Sequence, residues 1–182
     1  MSMRESMSRW ALLCWLALAC AAAQAAAPRD PGEYFFDQSL GDFSEELALA
    51  REEGKSAILI MFEMDECPFC HRMKQTVLNQ VEVQAYYRKH FKIFTVDIEG
   101  DVEIIDFQGK PVSQKDFAFR QHRVRATPVF AFFDLEGNPI KRARFTGAAS
   151  GTEEFLLLGR YVVDGAYETT SFTRYKRARR EQ

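Results

Sequence analysis

Apolar residues fall into two rhythms along this 182-residue chain. From Phe43 to Glu53 they repeat at helical spacing, with Phe43, Leu47 and Ala50 on one face. Asp42 is placed to cap that helix and Gly54 to end it. The run Ala57 to Phe62 is apolar at every position, which predicts a strand buried on both sides. Two helices are predicted next, His71 to Leu78 and Val81 to Lys89, and then a strand of good β composition from Phe91 to Ile98. Val102 to Phe107 and Lys110 to Val112, joined at Gln108-Gly109, predict a short hairpin. Ser113 with Asp116 three residues on marks a helix start that carries Phe117 and Phe119 towards His122. Val129 to Phe133 predicts a third strand. A turn over Leu135 to Pro139 and a fourth strand from Ile140 to Phe145 would complete a second hairpin. Helices are predicted over Glu153 to Val163 and Thr170 to Arg179. This order gives an α/β fold, a mixed central sheet with helices on both faces and a short hairpin insert around 100–112.

The first residues differ from the rest. Arg4 and Arg9 precede an apolar run, Trp10 to Ala19, and small residues lead to Ala23-Gln24-Ala25. The run is too short for a membrane span of about 20 residues. It reads as a secretory leader over 1–25, cut after Ala25 or, as an alternative, after Ala27. An uncleaved anchor and lipidation at Cys20 are further alternatives, the second with Ala17 where a lipobox expects leucine. Residues 26–40, rich in Pro, Gly and charge near their start, read as a linker. Residues 41–182 read as one domain with a C-terminal helical extension. Sixteen Phe with many Val, Ile and Leu suffice for its core. The chain is close to neutral at −2, which gives no reason to expect a nucleic-acid partner. The basic run Lys176-Arg177-Ala178-Arg179-Arg180 reads as a solvated last helical turn beside the negative end of the helix dipole.

The chain has four cysteines, and leader removal takes Cys14 and Cys20. Cys67-Pro68-Phe69-Cys70 remains, at the junction of the apolar strand and the following helix. A helix N-terminus presents unpaired N–H groups and partial positive charge, which favours thiolate. A bridge between cysteines two residues apart closes almost no loop and stabilises the fold little. Redox work explains the pair better than stapling. Zinc fails on ligand count, because Cys67, Cys70 and His71 have no second Cys/His pair to complete a four-ligand site. His90 and His122 stand alone and read as structural or surface residues.

The strand order, the C-x-x-C after the first central strand and Thr127-Pro128 before the second hairpin resemble the thioredoxin superfamily over about residues 40–165. Met61-Phe62-Glu63, Val96-Asp97-Ile98 before the Gly100–Gly109 insert, Val124-Arg125-Ala126-Thr127-Pro128 and the Phe133–Gly137 turn are similar to exported thioredoxins of the SoxW group, associated with bacterial sulfur oxidation. The resemblance implies a thioredoxin fold, with Cys67 as the exposed, attacking cysteine and Cys70 as the resolving one. It implies a cis peptide at Pro128, although only about 5–6% of folded X–Pro bonds are cis. It places Pro68, Phe69, Thr127 and Pro128 against substrate, with the Thr127 backbone open to β pairing. It implies no cofactor beyond the Cys67–Cys70 disulfide. Expected partners are disulfide-bearing periplasmic proteins and a membrane electron donor, the protein itself acting as a monomer. The chain departs from the family at two positions. Glu66 stands where tryptophan is usual, and Met61 where many members have a buried acid. Glu63 is the nearest acid able to replace it, or else an edge carboxylate with no proton role. Asp65 and Glu66 set negative charge beside Cys67 and oppose the helix terminus. His71, as imidazolium, would favour thiolate, or else it points away from Cys67 on the helix and is simply exposed.

Three functions follow from these features: a reductase of partner disulfides, an oxidant or isomerase using the same chemistry, or a binding module whose cysteines are incidental.

Overall fold

The computed structural model describes residues 27–180. The expected leader, with Cys14 and Cys20, lies outside the described residues. A one-turn helix α1 (Pro31–Tyr34) precedes α2 (Phe43–Glu52), β1 (Ala57–Glu63), α3 (Pro68–Thr76), α4 (Val81–His90) and β2 (Phe91–Asp97). The hairpin β3 (Glu103–Ile105) and β4 (Pro111–Ser113) follows. Then comes a single turn, α5 (Gln114–Asp116), which continues as a π-turn over Phe117–Gln121. The last elements are β5 (Val129–Phe133), β6 (Phe145–Thr146), α6 (Thr152–Val163) and α7 (Phe172–Arg180).

Four strands form one mixed sheet in the order β2-β1-β5-β6. β1 runs parallel to β2 and antiparallel to β5. Alternation along β1, buried from Ala57 to Phe62, divides the core. Leu59 and Met61 face α3, α4 and α6, together with Phe130 and Phe132. Ile58, Ile60 and Phe62 face α2 and the insert, together with Phe43, Phe107 and Phe117. This is the thioredoxin fold that the resemblance implies. Asp42 caps α2 as expected, its Oδ1 accepting from the N–H groups of Ser44 and Glu45 at 2.9 and 3.0 Å.

Two expectations are corrected. The described part of the stretch read as a linker, 27–40, packs onto the domain. Phe35 is fully buried against Tyr87 and Phe155, and Phe36 lies 8% exposed in the same cluster. The Asp37 N–H donates to the Ile93 carbonyl at 2.7 Å, and its Oδ2 accepts from the Ile93 N–H at 2.8 Å, which closes part of the outer edge of β2. Further along that edge the Gln114 side chain accepts from the Asp97 N–H at 2.7 Å. Burial of the two phenylalanines outweighs the loop-forming composition around them.

The fourth strand is also shorter than expected. Ile140 to Phe145 breaks into a 3₁₀ turn, Lys141–Ala143: an isolated bridge at Pro139 and the Ile140 N–H hold one end to β5, and the strand itself is only Phe145 and Thr146. Ala143 is buried while Lys141, Arg142 and Arg144 are exposed, a spacing that does not match the pleat. The insert is anchored by Asp106, only 2% exposed. Its carboxylate accepts from the N–H groups of Gln108 and Lys110 and from the Gln121 side chain, each at 2.9 Å. Burial alone would raise the Asp106 pKa, but these hydrogen bonds outweigh it and hold the group below its ordinary value.

Candidate active site

The apolar β1 delivers the chain to the end of the sheet, and α3 starts there. Cys67 is the N-cap of α3, with extended backbone, and Pro68 occupies the first turn, where its missing N–H and fixed φ are tolerated. The Cys70 N–H donates to Cys67 Sγ at 3.0 Å. The helix terminus therefore points a backbone donor at the sulfur that must carry charge when the pair is reduced. Cys67 and Cys70 are joined by a disulfide with Cα atoms 5.2 Å apart. The expectation of an exposed Cys67 is corrected: both cysteines are 2% exposed and belong to the core cluster with Met61 and Met73. Phe69, between them, is 55% exposed and presents an apolar ring to solvent.

The Thr127–Pro128 peptide is cis. It immediately precedes β5, whose first residue, Val129, pairs with Phe62 near the end of β1. The register places the cis-proline at the end of the sheet from which Cys67 emerges. Thr127 is partly exposed and Pro128 buried, with the Pro128 carbonyl accepting from the Gly147 N–H at 2.8 Å.

On the other side of the pair, a cleft of about 330 Å³ is lined by Cys70, Glu63, His71, Lys74, Asp97 and Gln114 among others. Glu63 pairs with Lys74 at 2.6 Å, its side chain 17% exposed. Glu63 thus shares a cleft with Cys70, while Met61, at the family's acid position, is fully buried and apolar. His71 is exposed, with Nε2 3.3 Å from the Asp65 carbonyl. Asp65 and Glu66 are exposed beside Cys67.

Sequence reasoning missed Lys74 and Gln114. Lys74 had a usable signal, since it lies four residues after Cys70, one turn along the same helix. Gln114 had none, because only the folded insert brings it to the cleft. Among the described residues no group of three or more His, Cys, Asp or Glu is arranged to hold a metal ion.

Comparison with known proteins agrees with this geometry. No curated protein matches the chain. A thioredoxin-fold protein from Helicobacter pylori superposes with a TM-score of 0.60 at 21% identity, covering 81% of this chain and 90% of the other. A putative disulphide-isomerase from Bacteroides thetaiotaomicron gives 0.55 at 22% identity, covering 78% and 98%. A thioredoxin from Thermus thermophilus gives 0.52 at 24% identity, covering 69% and 88%. At these identities the likeness is one of fold. A model of the thioredoxin-like domain matches residues 43–162, which span β1, the cysteine pair, the cis-proline and most of α6. The chain belongs to the thioredoxin-like domain family.

Proposed function

We propose that this protein is a dithiol–disulfide oxidoreductase that reduces disulfides in exported partner proteins. The observation that carries this reading is the Cys67–Cys70 disulfide at the N-terminus of α3, at the same end of the sheet as the cis Thr127–Pro128 peptide. In the reduced form the Cys67 thiolate attacks one sulfur of a partner disulfide. A Cys67–partner disulfide forms and the partner's other sulfur leaves as thiolate. The Cys70 thiolate then attacks Cys67 Sγ and expels the partner's second sulfur. The partner gains two electrons, and Cys67–Cys70 is the oxidised product.

Phe69 and the Thr127 backbone meet the partner in this reading, and Pro68 shapes the helix start. Glu63 exchanges the proton of the Cys70 thiol through the shared cleft, held there by Lys74, in the role that Met61 cannot fill. Glu66 sets negative charge beside Cys67, with the His71 ring exposed at the start of the same helix. The Arg4–Ala25 leader pattern supports a periplasmic site, where a membrane protein would have to supply electrons. The likeness to the SoxW group supports targets in a sulfur-oxidation pathway.

Insulin reduction with dithiothreitol as electron source tests the mechanism. Cys67→Ser is expected to reduce the rate to that of dithiothreitol alone, and an unimpaired variant would exclude the mechanism. Pro68, between the cysteines, favours a second reading, the same chemistry run as oxidant. Potentials of such proteins span about −270 to −120 mV. Equilibration against glutathione separates the two, with a value near the oxidising end excluding the reductase.

A further inference from the structure

The loop that leads to the cis-proline and the turn packed beside it carry cations that have no acidic partner among the described residues. Arg123 and Arg125 lie in the loop leading to Thr127-Pro128, Lys141 in the 3₁₀ turn that interrupts the fourth strand, and Arg144 directly after that turn. All four are exposed. Arg144 joins the two segments, its Nη1 donating to the His122 carbonyl at 2.8 Å and its Nη2 lying 3.5 Å from the Arg123 carbonyl. Arg125 stands over the half-exposed ring of Phe119, 5.3 Å from its centroid. Among the described residues the ion pairs all lie elsewhere.

Where the fourth strand breaks, a cavity of about 380 Å³ opens over Ala131–Phe133. Arg123, Lys141 and Arg144 line it together with Gln121 and His122, and no carboxylate does. His122 Nε2 is buried without a hydrogen-bond partner. Arg123 has φ 53°, a left-handed conformation in a residue with a side chain, so the loop is held in a shape that costs free energy. The whole chain is net negative, which makes this patch a local reversal of sign.

We propose that this surface selects the partner, and that the disulfide presented to Cys67 is flanked by acidic residues. The proposal rests on the disulfide-exchange reading above and names the substrate class for it. A partner segment paired with the Thr127 backbone advances about 3.4 Å per residue. Residues within about four positions of its cysteine therefore reach Arg125 and Arg123. One carboxylate seats in the cavity against Arg144, whose remaining donors are free of acidic partners among the described residues. Unpaired cations at the rim of a docking surface act chiefly on the encounter and on the choice between partners.

The test uses the full chain and three disulfide-bonded peptides, equal in length and flanked by Asp/Glu, Ser or Lys. The reading is kcat/KM for reduction with dithiothreitol regenerating the enzyme. The acidic peptide is expected to exceed the lysine peptide about tenfold at low salt, with the ratio shrinking towards about twofold at about 0.5 M salt, where the screening length is only a few ångströms. Arg125→Gln and Lys141→Gln, made separately because Arg144 also ties the loop, are each expected to lower the ratio through KM. A ratio of one, a preference for lysine, or a ratio unmoved by salt and by both variants would overturn the proposal while leaving the disulfide chemistry standing. Reduction of none of the peptides would overturn the disulfide-exchange reading and this proposal with it.

Discussion

On the face of the sheet that carries Leu59 and Met61, the disulfide shares a core cluster with Met73, Phe130 and Phe155, and the buried polar groups there include the amide of Gln84 and the hydroxyl of Tyr87, which donates to the Phe155 carbonyl at 2.5 Å. On the opposite face the core contains ionisable groups. Asp106 is satisfied by three donors, Glu46 is 7% exposed with its pKa raised by burial, and the His122 ring packs against Phe62, Phe117 and Phe133. The disulfide thus lies on one face, and the buried ionisable groups Asp106, Glu46 and His122 lie on the other. The same strand serves both because its side chains alternate.

The largest expected effect on this division is at Phe35. If the segment before α2 is core on the disulfide side, Phe35→Ala costs about 3–5 kcal/mol, as for other buried aromatic truncations. Urea unfolding measures it, and a cost near zero would return residues 26–40 to the status of a tether.

The second effect lies on the proton side. Burial first, and the Arg144 cation second, push His122 down to about 4 against the opposing pull of Asp106. A base held down in the folded state takes its proton in the unfolded chain first. Stability from neutral His122 is then complete above about pH 6.5 and drains as pH falls towards 4. Between pH 7 and pH 4 the native protein should lose about 2–3 kcal/mol more than a His122→Phe variant. Parallel pH–stability curves for the two would show that His122 is not the sensor.

The third and smallest effect probes the contact of α4 with α6. A Cβ at Gly159 would lie 2.9 Å from the Tyr86 ring and 3.1 Å from that of Tyr87. Gly159→Ala should cost about 1–3 kcal/mol through overpacking, with no change in the pH profile.

The parts of the molecule legible in the sequence are those whose signal is local. The apolar run of β1, the placement of Cys67 at a helix start and the Asp42 cap need no distant partner. The cis form of Thr127–Pro128 ran against the general preference for trans and came only through family resemblance. The rest depended on contacts made across the fold. Phe35 and Phe36 were hidden by the Pro and Gly nearby, although two adjacent phenylalanines are a poor tether. The Ile140–Phe145 strand failed because Ala143 turns inward and Arg144 reaches the His122 carbonyl. His122 read as an isolated residue, since its aromatic neighbours come from β1, β5 and the π-turn.

The outer edge of β2 has a consequence for crowded solutions. Asp37 and Gln114 fill backbone positions there with side-chain acceptors, where an added strand would bond. At the far side of the sheet β6 is only two residues long. Neither border gives a second copy a long row of free donors and acceptors to zip onto, the usual route to ribbon-like aggregates. Backbone pairing with strangers is left to the short loop before β5.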